Sequence, residues 1–124
     1  MSDNFREAFG INDQDDDEYR AWRTCQQGAT MYFKLVPLAG SGQPVRHIPY
    51  LQAITIEHHP ESDQLCLLCH GTGMTVFIEG RGLAELANQI AEKRVKSIHV
   101  LDETAHRLSD NSEAIVTEIK VEQS

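Results

Sequence analysis

The amino-acid sequence predicts an α+β domain: a mostly antiparallel sheet of about five to six strands, with one amphipathic helix packed on it and a second helix near the N-terminus. Three observations predict this class. Residues 52–79 read as a three-strand meander, QAITIEHH, QLCLLCH and MTVFIE, separated by the breaks PESD and GTG. Immediately after it, Leu83, Leu86, Ala87, Ile90 and Ala91 fall at i, i+3, i+4, i+7 and i+8, a one-sided helix over 83–94. Segments 29–36, 95–101 and 115–121 add strand-favouring runs bounded by turn formers. At 124 residues the chain is one domain, long enough to bury roughly two thirds of its unfolded surface.

In chain order, residues 1–15 read as an acidic arm and 16–124 as the folded domain. The arm runs into Asp13-Gln14-Asp15-Asp16-Asp17-Glu18, whose alternating carboxylates resemble the start of a calcium loop. Such a loop needs Gly at its sixth position and Glu at its twelfth, where this chain has Glu18 and Thr24. The acidic run instead precedes a helix expected over 16–27, where negative charge complements the positive end of the helix dipole. Tyr19, Trp22 and Cys25 recur every three residues as its apolar stripe, and Gly28 is a natural stop. Its expected task is to dock Trp22 on the sheet.

Residues 29–36 form a strand with Met31, Phe33 and Leu35 on one side and Tyr32 and Lys34 on the other, closed by Pro37. In the loop that follows, Gly40-Ser41-Gly42 has neither the spacing nor the succeeding helix of a nucleophile elbow. Pro44 and Pro49 limit residues 45–50 to an edge strand.

The meander fixes its own register. A turn at PESD pairs Glu57 with Cys66, Ile56 with Leu67 and Ile54 with Cys69. A turn at Gly71-Thr72 pairs Cys69 with Met74, Leu67 with Val76 and Leu65 with Ile78. Both place Ile54, Ile56, Leu65, Leu67, Cys69, Met74, Val76 and Ile78 on one apolar face. The other face is mixed, with Leu68, Thr75 and Phe77 among Thr55, Glu57, Cys66 and Glu79, and is a candidate interaction surface.

The same register bears on Cys66-Leu67-Leu68-Cys69-His70, the one string with a chemical association. C-x-x-C-H marks covalent haem attachment, but at a helix start, whereas alternation along a strand sends these two thiols to opposite faces. A zinc site on Cys66, Cys69 and His70 needs a tight turn between the thiolates, and Leu67-Leu68 is an apolar strand pair. Free cysteines of a sheet interior account for both. No cofactor is expected.

At the exit of the meander, Gly80-Arg81-Gly82 leads into the helix. Free amides at a helix start, a favourable dipole and a guanidinium make Gly80, Arg81 and Gly82 a candidate anion site, although the turn is neither a P-loop nor G-x-G-x-x-G. Glycines at such a place also serve simply to change chain direction. Val95–Leu101 returns as a strand, with Val95, Ser97, His99 and Leu101 opposite Lys96, Ile98 and Val100. Residues 102–114 form a polar connector with a helical turn at 103–108. The last strand, 115–121, places Ile115, Thr117, Ile119 and Val121 on one face and Glu118 and Lys120 in water.

Charge narrows the function classes. Nineteen acidic against eleven basic residues give a net charge of −8 and a pI near 5.1. With no run of clustered cations in the sequence, nucleic acid is not an expected partner. The mean hydropathy of −0.40 and the lack of an apolar run near ~20 residues make a membrane partner unexpected as well. Three cysteines form no disulfide framework and Met1 begins no apolar leader, so a cytoplasmic location is expected. No biochemical activity follows from these residues. The expectation is a small, acidic, non-catalytic protein-binding or accessory module that engages a protein partner or its own twin as a homodimer. The alternatives are a metal or redox protein on Cys66, Cys69 and His70, and a small enzyme or ligand-binding domain with an anion site at Gly80–Gly82.

Overall fold

Two hairpins of the same construction organise the chain. In the computed structural model, which describes residues 19–26, 28–102 and 114–123, strands β4 (Ile54–His59), β5 (Gln64–Cys69) and β6 (Met74–Arg81) follow one another antiparallel. Each is joined to the next by four residues, the last of which is left-handed: Asp63 at φ 51° and Gly73 at φ 75°. That geometry reverses the chain without slipping the register. Ile54 faces Cys69, Ile56 faces Leu67 and Glu57 faces Cys66; Cys69 faces Met74, Leu67 faces Val76 and Leu65 faces Ile78. The alternation of apolar residues therefore specified the register of all three strands.

The remaining described elements are β1 (Trp22–Thr24), β2 (Tyr32–Val36), β3 (Arg46–Pro49), helix α1 (Ala84–Ala91), β7 (Val95–His99) and β8 (Ile115–Gln123). The single sheet of five to six strands is corrected to eight strands in two four-stranded sheets, ordered β1-β7-β2-β3 and β4-β5-β6-β8. The reason is the β2–β7 pair, which is parallel: Leu35 lies beside Ile98. A parallel pair needs a long crossover. Here the crossover contains β3, the second sheet's first three strands and α1. The chain stays mixed and mostly antiparallel.

A helix over 16–27 is also corrected, for within that span Trp22–Thr24 forms β1, antiparallel to β7. The three-residue spacing of Tyr19, Trp22 and Cys25 imitates a helical stripe, but backbone pairing to the exposed edge of β7 satisfies this segment instead. Trp22 still packs against the core. Residues 16–18 and 27, the arm at 1–15 and the helical turn at 103–108 lie outside the described residues.

One buried cluster joins both sheets. Phe33, Leu35, Ile48, Val95 and Ile98 from the first sheet meet Leu65, Leu67, Val76, Ile78 and Ile119 from the second, with Leu83, Leu86 and Ile90 of α1 and its N-cap. Two layers each bury one face, the ordinary solution for amphipathic sheets. Tyr19 ties the layers together: its hydroxyl donates to the carbonyl of His99 in β7 at 2.7 Å and accepts from the amide of Val116 in β8 at 2.8 Å. Burial pushes its phenol up to about 12, with the Val116 hydrogen bond opposing.

Two bulges explain the departures from simple alternation. Between β6 and β8 the register shifts after Glu79, so Gly80 faces Val116 while Glu79 faces Glu118, and Thr117 has no opposite number. Val116 thereby takes the buried place expected for Thr117, which is exposed. Between β1 and β7, Arg23 faces Ser97 and Thr24 faces Val95, leaving Lys96 unopposed. Val95 and Ile98 are therefore both buried. Met31 precedes β2 rather than belonging to it and is exposed. The helix is shorter than 83–94, and Ala91 is exposed while Gln89, bonded to Glu85, is half-buried.

Candidate functional site

The mixed face of the second sheet is the outward one. Leu68 lies between Thr55 and Thr75, and Cys66 between Glu57 and Phe77. Strand β8 continues these rows, with Lys120 beside Phe77 and Glu122 beside Thr75. Leu68, Thr75 and Phe77 are half-buried and, with Cys66, stand outside the core cluster. Around this apolar strip lie Glu57, Glu79, Glu118 and Glu122. Two cations stand among the glutamates: Lys120, 3.5 Å from Glu118 in an exposed pair, and Arg81, two residues beyond Glu79 at the end of β6. The result is a short apolar centre with an acidic rim.

At the Gly80–Gly82 turn, the amides that open toward the helix start face a carboxylate of the chain itself. Asp63, at the end of the β4–β5 turn, accepts hydrogen bonds on its two carboxylate oxygens from the amide of Gly82 and, at 3.2 Å, from that of Leu83. His58 Nε2 lies 2.9 Å from the same carboxylate. Leu83 is the N-cap of α1 and has no capping side chain, so Asp63 supplies the acceptor that the local sequence lacks. Partial burial raises the carboxyl, but the His58 hydrogen bond, the two amides and the His58 charge outweigh it and hold Asp63 below its usual range. Gly82 is left-handed at φ 70°, and a Cβ on Gly80 would lie 1.9 Å from the carbonyl oxygen of Ile115. Both glycines thus answer to chain geometry, the first to a turn and the second to the bulge with β8. Arg81 is an exposed residue of β6 opposite Ile115.

Cys66 and Cys69 occupy opposite faces of β5. Cys69 faces the core between Ile54 and Met74 and is 2% exposed; Cys66 is on the outward side and also buried. Burial pushes both thiols up, aided at Cys66 by Glu57 and at Cys69 by Cys66. A raised thiol is a poor nucleophile and a poor metal ligand at neutral pH. His70 Nε2 hydrogen-bonds Thr55 Oγ1 at 2.8 Å. Among the described residues, no three His, Cys, Asp or Glu side chains converge as a metal site would require.

Two arrangements were not legible from sequence reasoning. One is the Asp63 cap, reached across 19 residues; its signal is a helix that begins Gly-Leu with no capping side chain of its own. The other is Ser97 Oγ, 2.8 Å from His99 Nε2 on the outer face of the first sheet, a pair whose surroundings only the strand order reveals. No helix among the described residues is long and apolar enough to cross a membrane. No protein-family model, curated protein or solved structure matches the chain.

Proposed function

We propose that this protein is a non-catalytic binding module that engages a protein partner through the outward face of its second sheet. The observation that carries the reading is the apolar strip of Leu68, Thr75 and Phe77 inside a rim of four glutamates. A half-buried aromatic and a leucine diagonal to it on neighbouring strands supply a centre for burial, and the rim sets the sign of the partner. The complement is an amphipathic surface, such as one face of a helix, with apolar residues flanked by lysine or arginine. Charge also selects against the twin: two copies meeting by this same face would bring two sets of Glu57, Glu79, Glu118 and Glu122 into one interface. A heterologous partner is therefore the favoured occupant, over the homodimer.

Isothermal calorimetry with a synthetic amphipathic helix, one face leucine and its flanks lysine, tests the reading. The wild-type chain binds the peptide with an affinity that falls as salt rises. Phe77→Ser and Leu68→Ser each weaken binding tenfold or more, the scale of about 1.4 kcal/mol expected of a central apolar contact. A lack of binding by wild-type protein, or equal binding by both variants, overturns it.

A further inference from the structure

The first sheet carries the opposite charge on its outer face, and only the strand order reveals it. Arg23 in β1 faces Ser97 in β7, Ser97 lies beside Lys34 in β2, and Lys34 faces His47 in β3. Four residues from four strands thus form one straight row across the whole sheet. With neighbouring strands ~4.8 Å apart, the row spans about 14 Å. Lys96, the unopposed residue of the β7 bulge, joins it, as bulged residues are often re-aimed toward a site.

These side chains line a groove of about 510 Å³, within the size range of small-ligand sites. None of its nine lining residues is acidic, in a chain whose net charge is −8. Arg23, Lys34 and Lys96 make no ion pair among the described residues. Ser97, 7% exposed and held by its bond to His99, sits between Arg23 and Lys34. Tyr32, two residues before Lys34 on the same face, is 50% exposed and presents an aromatic ring at the groove edge.

We propose that this groove binds a small phosphate ester carrying a planar ring, of the size of a nucleoside polyphosphate. Arg23, Lys34 and Lys96 hold the phosphates, Arg23 able to do so bidentately, and Tyr32 stacks on the ring. The row is longer than a single oxyanion needs, and its three cations share one groove in a chain of net charge −8. That favours a small ligand over a nucleic-acid strand, which needs a basic track extending beyond one face. The site is separate from the interaction face proposed above.

Metal-free ATP titrated into the full chain at low ionic strength tests the proposal by calorimetry. The expected result is saturable one-to-one binding, weakened tenfold or more by Lys34→Gln and by Arg23→Gln and unaffected by Arg81→Gln. Pyrophosphate binds more weakly than ATP, adenosine does not bind, and Tyr32→Ser weakens ATP while leaving pyrophosphate unchanged. Circular dichroism of each exposed-residue variant confirms folding, and Lys96→Gln provides an independent repeat. Failure of ATP to bind overturns the proposal, as does equal binding by Lys34→Gln and Arg23→Gln. Loss of binding in Arg81→Gln instead places the anion at the other turn. Tighter binding of single-stranded oligothymidylate than of ATP through the same residues overturns the small-ligand assignment.

Discussion

Asp63 shows how one residue can serve two elements. Its left-handed backbone at φ 51° closes the β4–β5 hairpin, a conformation that Asp and Asn tolerate better than most residues. Its carboxylate then caps a helix that starts 21 residues later in sequence. Replacing it with Ala removes the cap and places Ala at positive φ, with an expected loss of about 1–2 kcal/mol in urea unfolding at pH 7. Asp63→Asn isolates the charge, since Asn keeps the backbone preference. The folded carboxyl titrates below its ordinary 3.8. Its contribution is therefore complete above that value and is lost as pH falls through the lower folded value. The stability gap between wild type and Asp63→Asn should be present at pH 5 and narrow below about pH 4. A gap that is absent at pH 5, or that persists undiminished well below about pH 4, contradicts the role. The sequence displays Asp63 only as the end of a turn, because its partners come from elsewhere in the chain.

At the scale of elements, legibility followed locality. The two hairpins could be registered residue by residue because Ile54 to Ile78 alternate cleanly and each turn is four residues long. Pro49 correctly marked residues 45–50 as an edge, since β3 ends the first sheet's order. Trp22 could not be placed in a strand, because β1 is three residues long and its sheet partner among the described residues is β7, more than seventy residues away. Helix α1 was visible by its period, but its end was read too late. Lys93 adopts φ 61°, with its amide bonded to Ile90 and that of Arg94 to Gln89, the paired bonds of a Schellman stop. Glycine is the usual residue at that position, and nothing in the composition of 83–94 advertises a stop at Glu92. Lys93→Gly should therefore stabilise the protein by about 0.5–1 kcal/mol, read as a rise in melting temperature. A fall would mean that the Lys93 side chain contributes more than its backbone costs.

For the whole molecule, the organising fact is that two amphipathic sheets bury their apolar faces in one core and turn outward faces of opposite character to solvent. The outward face of the second sheet was partly legible, since Leu68, Thr75 and Phe77 follow from the local register. Its acidic rim was not, because Glu118 and Glu122 join it only through the β6–β8 pairing and its bulge. The cationic row of the first sheet was invisible for the same reason, its residues lying on four strands scattered from Arg23 to Ser97. Residue counts gave a net charge but not its separation between faces. The most direct measurement of the binding role is an amide chemical-shift map, recorded by NMR as the leucine–lysine helix is titrated into isotope-labelled protein. The largest shifts should trace a single patch over Cys66, Leu68, Thr75, Phe77 and the flanking Lys120, leaving Arg23, Lys34 and Gly82 unmoved. Shifts centred on the first sheet or on the Gly82–Leu83 turn, or none at saturating peptide, would contradict a partner site on the second sheet.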